Sequence, residues 1–470
     1  MAENIAKFHY GINLNEFSSP SSSILWAFII APFAKLSFSN YIILFINITC
    51  SVGTLYLFWE ILTNIFGAGT EIQKANIVIA FFLILLIIST NMIPLIFIGM
   101  EHSLQIFLVT LIVRGLIYEI ESDKITKWLI GAIIIAPLIR YENLAVSLPA
   151  LIYLYFRGYH KSAIISAITI IMLMGSFVLF LLYLGLTPFP TSVEAKLSTA
   201  SVNLGGWSLN IFMERSLNNP RGILLTVGIL FLLYHTLFKR KNKRKNLFAG
   251  VTIFSITLHL LAGKYGYFHR YEIYIVTFAI LVLLYVNKEL LTGIIYRDGF
   301  LKPASLFLAT VLLLFAPFIN ALIFTPVASN NIYEQQYQMH RFAIEYYKKP
   351  VAVNDLGFVT YNNPNYVLDL WGLASSKTLQ HRGSKNSDWM DKIAKEYNVK
   401  FAMIYDSWFK SLPGSWLRVG KLYLGKPLIT PGDSVVSFYA LDKRTYSETF
   451  KLLKEFSKTL PDDTRFEFQH

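Results

Sequence analysis

The chain has 470 residues and a formal net charge of +13, yet only 15% of its residues are charged and 54% are hydrophobic. A soluble domain carries roughly a quarter of its residues as Asp, Glu, Lys and Arg, so the composition excludes an ordinary soluble protein over most of the chain. The single cysteine, Cys50, lies in an apolar run. It excludes an internal disulfide, and because no Cys-His metal spacing appears either, no metal ligands are predicted.

Apolar runs fill residues 20–326. A membrane-spanning helix needs about 20 apolar residues. Runs of sufficient length occur at 40–64, 75–98, 103–120, 162–186, 221–238, 247–263, 271–287 and 302–326. Shorter runs, expected to be tilted, half-spanning or interfacial, occur at 22–37, 126–139 and 145–156. The pattern predicts a polytopic α-helical membrane domain over residues 1–326 with about 10–11 apolar segments.

The densest basic cluster, residues 239–245, lies between two apolar runs. Such clusters are typical of cytoplasmic loops, so the positive charge indicates topology, and we expect no nucleic-acid partner. With this loop inside, alternation of the segments places Glu101, Arg140, the loops 187–220 and 264–270, and everything after residue 326 outside. Before residue 75 the alternation is consistent only if one early segment does not cross fully.

Residues 327–470 have the composition of a soluble domain. Strands are predicted at 350–353, 358–361, 399–405 and 434–441, and helices at 388–397 and 447–459. Strands that alternate with helices predict a small α/β domain, here extracytoplasmic.

Ionisable side chains mark the ends of apolar runs at residues 15–20, 99–102 and 140–142. Such groups are costly at membrane depth unless they line a wet cavity, so the pattern predicts one outward-facing site. The candidate catalytic residues are Glu101, Glu142 and Glu16. The candidate substrate-binding residues are His102, Arg140, Lys196, Lys264, His269, Arg270 and Tyr271. Simpler interpretations remain open: Glu101 as a helix-start residue, Arg140 and Glu142 as an ion pair, and the lysines as interfacial side chains that reach the headgroups.

Carboxylates and cations around one cavity suit a reaction on a lipid-linked phosphosugar. A lipid phosphate leaves without help from a general acid, so one carboxylate base that deprotonates the acceptor hydroxyl is enough. Cationic side chains then stabilise the departing phosphate.

The fragments resemble the GT-C superfamily of polytopic glycosyltransferases, in particular the bacterial branch that includes mycobacterial terminal β-arabinofuranosyltransferases. The resemblance rests on collinear segments: Ser18-Ser19-Pro20 with Leu25-Trp26, Gly99-Met100-Glu101, Arg140-Tyr141-Glu142, Phe189-Pro190-Thr191 through Ala195-Lys196, Arg270-Tyr271, and Asp355-Leu356-Gly357 with Asp369-Leu370-Trp371-Gly372-Leu373. It implies an inverting glycosyltransferase of the bacterial inner membrane, with a polyprenyl-phosphate sugar as donor and a glycan, lipid or protein outside the membrane as acceptor.

In the family an acidic motif in the first outside loop supplies the expected base, and some relatives bind a divalent cation near it. Here that motif would precede Met1, so the resemblance implies either that the start is assigned too late or that the motif is lost. Divalent-cation dependence stays open for the same reason. The alternatives are a transporter or flippase for lipid-linked saccharides, a polymerase or ligase of surface polysaccharide, and an inactive GT-C-like scaffold.

Overall fold

The structure is a computed structural model that describes residues 1–67, 72–194, 209–238, 242–266, 268–296, 301–382, 384 and 386–469. Its first part, called here the helical part, contains α1 Ala2–Ile5, α2 Trp26–Ile30, α3 Ser39–Phe66, α4 Ile72–Ser89, α5 Met92–Ile98, α6 His102–Ser122, α7 Lys127–Ile139, α8 Leu144–Phe156, α9 His160–Tyr183, α10 Leu209–Leu217, α11 Pro220–Phe238, α12 Lys243–Ala262, α13 Ile273–Val286, α14 Lys288–Ile295 and α15 Leu301–Glu334.

Within the described ranges, six helices are long and apolar enough to cross a membrane, or seven if the bent pair α13 and α14 forms one span. The predicted segments 40–64, 103–120, 162–186, 221–238 and 247–263 are confirmed as helices. The short runs 126–139 and 145–156 become α7 and α8, joined by the 3-10 turn Tyr141–Asn143.

Three apolar runs differ from a single straight helix. The run 75–98 is broken at Asn91, whose φ of 50° is left-handed and ends the α4 direction before α5 begins. The run 271–287 ends at Asn287, where the chain bends by 69° into α14. The run 22–37 contains only α2 and the 3-10 helix Ala31–Phe33, which together are too short to cross a hydrocarbon core of about 30 Å.

Helix α6 separates two charged poles of the helical part. Glu101 is its N-cap, and Asp123 is its C-cap. At the Asp123 end, that carboxylate pairs with Arg157 at 2.6 Å and with Arg244 at 2.5 Å. A helix of 21 residues is about 32 Å long, so the two poles are separated by about the thickness of a bilayer core.

The C-terminal domain follows α15 with α16 Gln336–Arg341, the π-helical turn Phe342–Tyr347, β1 Val351–Val353, β2 Val367–Asp369, α17 Ser376–His381, α18 Asp388–Glu396, β3 Phe401–Ile404, β4 Leu417–Tyr423, β5 Val435–Ala440, α19 Lys443–Phe456 and β6 Arg465–Phe468. The strands form one mixed sheet in the order β2-β1-β3-β5-β4-β6. β1 is parallel to β2 and β3, and the other pairs are antiparallel.

Side-chain alternation along the strands builds two cores. On β1, Val351 and Val353 face a core shared with Phe342 and Phe456. The intervening Ala352 faces the other core, which contains Trp389 of α18. The sheet therefore has helices on both faces, and the predicted α/β character of this domain is confirmed.

The strand predicted at 358–361 is wrong, because Phe358–Thr360 forms a 3-10 turn. The Thr360 amide bonds to the Leu356 carbonyl, and the turn buries Val359. Over only four residues, the pattern of apolar and polar side chains does not distinguish such a turn from a strand. The strands β2, β4 and β6 were not predicted.

The N-terminal segment, residues 1–25, packs against the C-terminal domain. The Asn13 side chain donates to the Val367 carbonyl at 3.0 Å and accepts from the Val367 amide at 2.9 Å. One side-chain amide thus satisfies the outer edge of β2, where a neighbouring strand would otherwise pair.

Candidate functional site

The centre of the candidate site is Arg140, whose side chain is 1% exposed. Its Nη1 lies 2.7 Å from Oε1 of Glu101, and its Nη2 lies 2.7 Å from Oε1 of Glu142. Nε also donates to Oε2 of Glu142 at 3.2 Å, so the guanidinium forms a two-pronged pair with this carboxylate. Because a buried charge is tolerated only when it is paired, the two carboxylates explain how the charged guanidinium of Arg140 can be buried here.

Local backbone geometry brings the pair together from different helices. α5 ends at Gly99 with a φ of 73°, which turns the chain so that Glu101 caps α6. α7 ends at Arg140 in an extended conformation, and the Leu138 carbonyl accepts the amides of Ile24 and Leu25. Two of the three sequence fragments that carry ionisable groups, 99–102 and 140–142, therefore meet in space, and the backbone of residues 22–25 lies beside them.

A layer of hydrogen-bonded polar side chains lies next to the pair. His102 Nδ1 lies 3.1 Å from the Gln105 side-chain oxygen, and Gln105 donates to the Asn143 side-chain oxygen at 3.0 Å. Asn143 in turn donates to the Ala136 carbonyl at 2.8 Å. His102 is fully buried in this layer, which connects it through Gln105 to Asn143, the residue after Glu142.

Tyr271 and Arg270, both candidate substrate-binding residues, lie beside Arg140 and Glu101. The centroid of the Tyr271 ring lies 5.8 Å from the Arg140 guanidinium and 5.5 Å from the Arg270 guanidinium. Arg270 also contacts the Met100 sulfur, beside Glu101. Cation–π contacts of this kind hold two like charges on one aromatic ring without direct contact between them.

His269 belongs to a neighbouring cluster that the sequence reasoning missed. Arg221 Nη1 lies 2.7 Å from Glu272 Oε1 and 2.7 Å from His269 Nδ1. Glu272 is fully buried and also accepts from the Gly266 amide at 3.2 Å. The sequence contained features that mark both residues, since Arg221 follows Pro220 at a helix start and Glu272 follows Arg270-Tyr271. Their pairing, however, depends on the packing of α11 against α13, which the sequence does not show.

The remaining predicted residues lie elsewhere. Glu16 accepts from the Tyr366 hydroxyl at 2.8 Å and faces the C-terminal domain, so it is bound to that domain and not to the Arg140 cluster. Lys264 lines a separate cavity. Lys196 falls outside the described residues.

The loop after β2 in the C-terminal domain contacts the helical part through Thr191. The Thr191 hydroxyl lies 3.0 Å from the Ser19 carbonyl and 2.5 Å from the Leu373 carbonyl. That loop folds around Asp369, which accepts the backbone amides of Trp371 at 2.8 Å and Ala374 at 2.6 Å. Burial nevertheless raises the pKa of Asp369 to about 6.

One family is similar to part of this chain. Residues 330–440 match a domain of unknown function, DUF8728. The match includes strands β1 to β5 of the C-terminal domain. No curated protein and no solved structure matches the chain.

In the described part of the chain, no group of three or more His, Cys, Asp or Glu side chains comes together in a way that could hold a metal ion. The Arg140 cluster contributes two carboxylates, and both already bind a guanidinium. The site's described residues can therefore orient a carboxylate and hold positive charge beside it.

Proposed function

We propose that this protein is a membrane glycosyltransferase that transfers a sugar from a polyprenyl-phosphate donor to an acceptor outside the membrane, with inversion. The observation that carries the proposal is the carboxylate of Glu142, which is fixed by buried Arg140 and keeps a third of its side chain exposed, 33%. The resemblance to GT-C glycosyltransferases in segments that meet around Arg140 supports the same assignment.

Each charged group of the site has a role in this proposal. Glu142 accepts the proton of the acceptor hydroxyl, and its pairing with Arg140 sets the orientation of the carboxylate. Glu101 is buried, with 3% of its side chain exposed, and it balances the charge of Arg140. Arg270 lies beside this group and supplies positive charge where the lipid phosphate departs.

A second candidate function is transport of a lipid-linked saccharide. The break between α4 and α5 at Asn91 favours it, because discontinuous helices line substrate sites in many transporters. Transport would carry the intact donor across a liposome membrane without loss of its sugar.

The deciding experiment uses the full chain in liposomes with radiolabelled polyprenyl-phosphate arabinose and polyprenyl-phosphate mannose. With an added glycan acceptor, we expect one donor to transfer its sugar to an acceptor hydroxyl, which gives its proton to Glu142, and to release polyprenyl phosphate. Glu142→Gln keeps the size of the side chain and removes its basicity, so the rate should fall by about 10²–10⁴-fold.

A matched control comes from an ion pair away from the Arg140 cluster, in which Glu60 of α3 contacts Arg114 inside α6. Glu60 pairs with Arg114 at 3.3 Å and has 30% of its side chain exposed, close to the value for Glu142. Glu60→Gln should leave the rate unchanged. The proposal fails if neither donor is turned over by folded protein, or if Glu60→Gln and Glu142→Gln reduce the rate equally.

A further inference from the structure

A polar cavity of about 310 Å³ lies at the junction of α10, α11 and the loop after α12, apart from the Arg140 cluster. Its volume is at the lower end of the range for small-molecule sites, roughly 300–1,000 Å³. It is lined by Glu214, Arg215, Asn218, Asn219, Gly263, Lys264 and Tyr265.

The walls of this cavity are held by specific contacts. Arg215 donates through Nη1 to the Leu261 carbonyl near the end of α12. Asn219 accepts from the amide and the Nε of Arg221, each at 3.0 Å, which fixes the turn before α11. A Cβ on Gly263 would lie 2.3 Å from the His259 ring, so this wall requires glycine.

Two buried polar atoms near this cavity have no hydrogen-bond partner among the residues that the structure describes. One is on the lining residue Tyr265, and the other is on His259, which packs behind Tyr265 and Gly263 without lining the cavity itself. His259 is 1% exposed, packs on Gly263, and uses Nδ1 for the Tyr274 hydroxyl at 3.0 Å, while its Nε2 is unsatisfied. The hydroxyl of Tyr265, which lines the cavity, is also unsatisfied. Buried polar atoms normally have partners, so atoms of this kind indicate a ligand or ordered water.

The charge of the lining favours an anion. Arg215 and Lys264 contribute two positive charges against one carboxylate, Glu214. The amides of Asn218 and Asn219 and the phenol of Tyr265 add the donors and acceptors that hydroxyl groups need. Guanidinium and ammonium groups are the usual partners of phosphate.

We propose that this cavity binds a phosphate-bearing sugar headgroup at a second site, separate from the reaction site that the proposed function places at Glu142 and Arg270. Arg140 is poorly suited to that role, because its Nη1, Nη2 and Nε already donate to Glu101 and Glu142. The identification of the ligand as a sugar phosphate rests on the proposed function, whereas the preference for an anion rests on the lining alone.

The test measures binding to the full chain in nanodiscs of neutral phosphatidylcholine, with glucose 1-phosphate, glucose and farnesyl phosphate as probes. We expect glucose 1-phosphate to bind and glucose to bind far more weakly. Arg215→Gln and Lys264→Gln should each weaken binding by about tenfold, because each removes one charge-assisted contact. Glu214→Gln should strengthen binding by a few-fold, because it removes a repelling charge.

Two further variants separate a binding effect from misfolding. Asn218→Trp fills the cavity from an exposed position, so it should abolish binding without loss of thermal stability. Lys392→Gln, an exposed change in the C-terminal domain, should leave binding unchanged. If farnesyl phosphate competes with glucose 1-phosphate for the cavity, the ligand is lipid-linked. If it does not compete, the ligand is a free sugar phosphate.

The inference is overturned if glucose 1-phosphate binds the wild type and Asn218→Trp equally, if it binds neither, or if Glu214→Gln weakens binding while Arg215→Gln strengthens it. The outcome is independent of catalysis. Protein without transferase activity that shows the expected binding pattern would contradict the proposed function and leave this site intact.

Discussion

At the scale of single residues, Asp369 links the pH of the medium to the stability of the loop after β2. Burial raises the pKa of this carboxyl to about 6, and the amides of Trp371 and Ala374 offset only part of that effect. Its pKa in the unfolded chain is about 3.9. Between these values the folded state binds more protons than the unfolded state, so the contribution to stability is complete below about pH 4 and is lost as the pH rises through 6.

We therefore expect wild-type protein to lose on the order of 3 kcal/mol of unfolding free energy between pH 4 and pH 7 relative to Asp369→Asn. Denaturant unfolding of the full chain followed by tryptophan fluorescence measures the difference. Asp442→Asn is the control of opposite sign: the Thr445 amide lowers the pKa of Asp442, so wild type should gain stability relative to that variant as the pH rises. Parallel profiles of wild type and Asp369→Asn would contradict the expectation.

The partners of Arg140 show how far residue-level prediction reaches. Its pairing with Glu142 could be anticipated, since the two residues lie two positions apart. Its contact with Glu101, 39 positions away, depends on how closely α6 and α7 approach. That approach requires Gly115, where a Cβ would lie 2.8 Å from Leu129 of α7. No local pattern in the sequence encodes this distance.

At the scale of elements, the break between α4 and α5 depends on one residue. Asn91 is left-handed, with φ 50° and ψ 30°, and its side chain donates to the Phe268 carbonyl at 2.9 Å. Most residues other than glycine pay roughly 1–2 kcal/mol for this conformation. Asn91 therefore supplies both the turn and a link to the loop before α13.

The two contributions can be separated by substitution. Asn91→Gly keeps the backbone conformation and loses the hydrogen bond, whereas Asn91→Ala loses both. We expect Asn91→Ala to be less stable than Asn91→Gly by about 1 kcal/mol, measured as unfolding free energy in detergent. Equal stability of the two variants would show that the left-handed turn carries no such cost.

Long helices were predictable and short strands were not. Apolar runs of membrane length mark α3, α6, α9 and α11 directly, because each must be apolar over many turns. β6, by contrast, spans Arg465–Phe468 and alternates exposed with half-buried side chains at the edge of the sheet. A strand of four residues is defined by its partner, here β4, and not by its own sequence.

At the scale of the whole molecule, the N-terminal segment and the C-terminal domain contact each other. Asn13 contacts β2. The helices within residues 22–37 are too short to cross a membrane. If this segment lies at the membrane surface, the inside–outside alternation of the segments is consistent before residue 75 as well. The predicted alternation of the later segments then places residues 1–25 and Glu101 on the same side. We expect residues 1–25 and the C-terminal domain to lie on the same side of the membrane.

Labelling of single cysteines in oriented vesicles tests this arrangement. In a Cys50→Ala background, Lys7→Cys and Lys451→Cys should react equally with an impermeant maleimide from one side, because both positions are exposed at the same pole. Lys124→Cys, exposed beside Asp123 at the other pole, should react only from the opposite side. Opposite labelling of Lys7→Cys and Lys451→Cys would contradict the shared location.

The hydrogen bonds of Asn13 to Val367 join residues 354 positions apart, and this separation has a consequence for biosynthesis. At about 5–20 residues per second, a ribosome needs roughly 20–70 s to make the intervening chain. During that interval the N-terminal segment of the nascent protein has no β2 edge to contact. The contact between this segment and the C-terminal domain is therefore a late event in folding, completed only when the last part of the polypeptide has emerged.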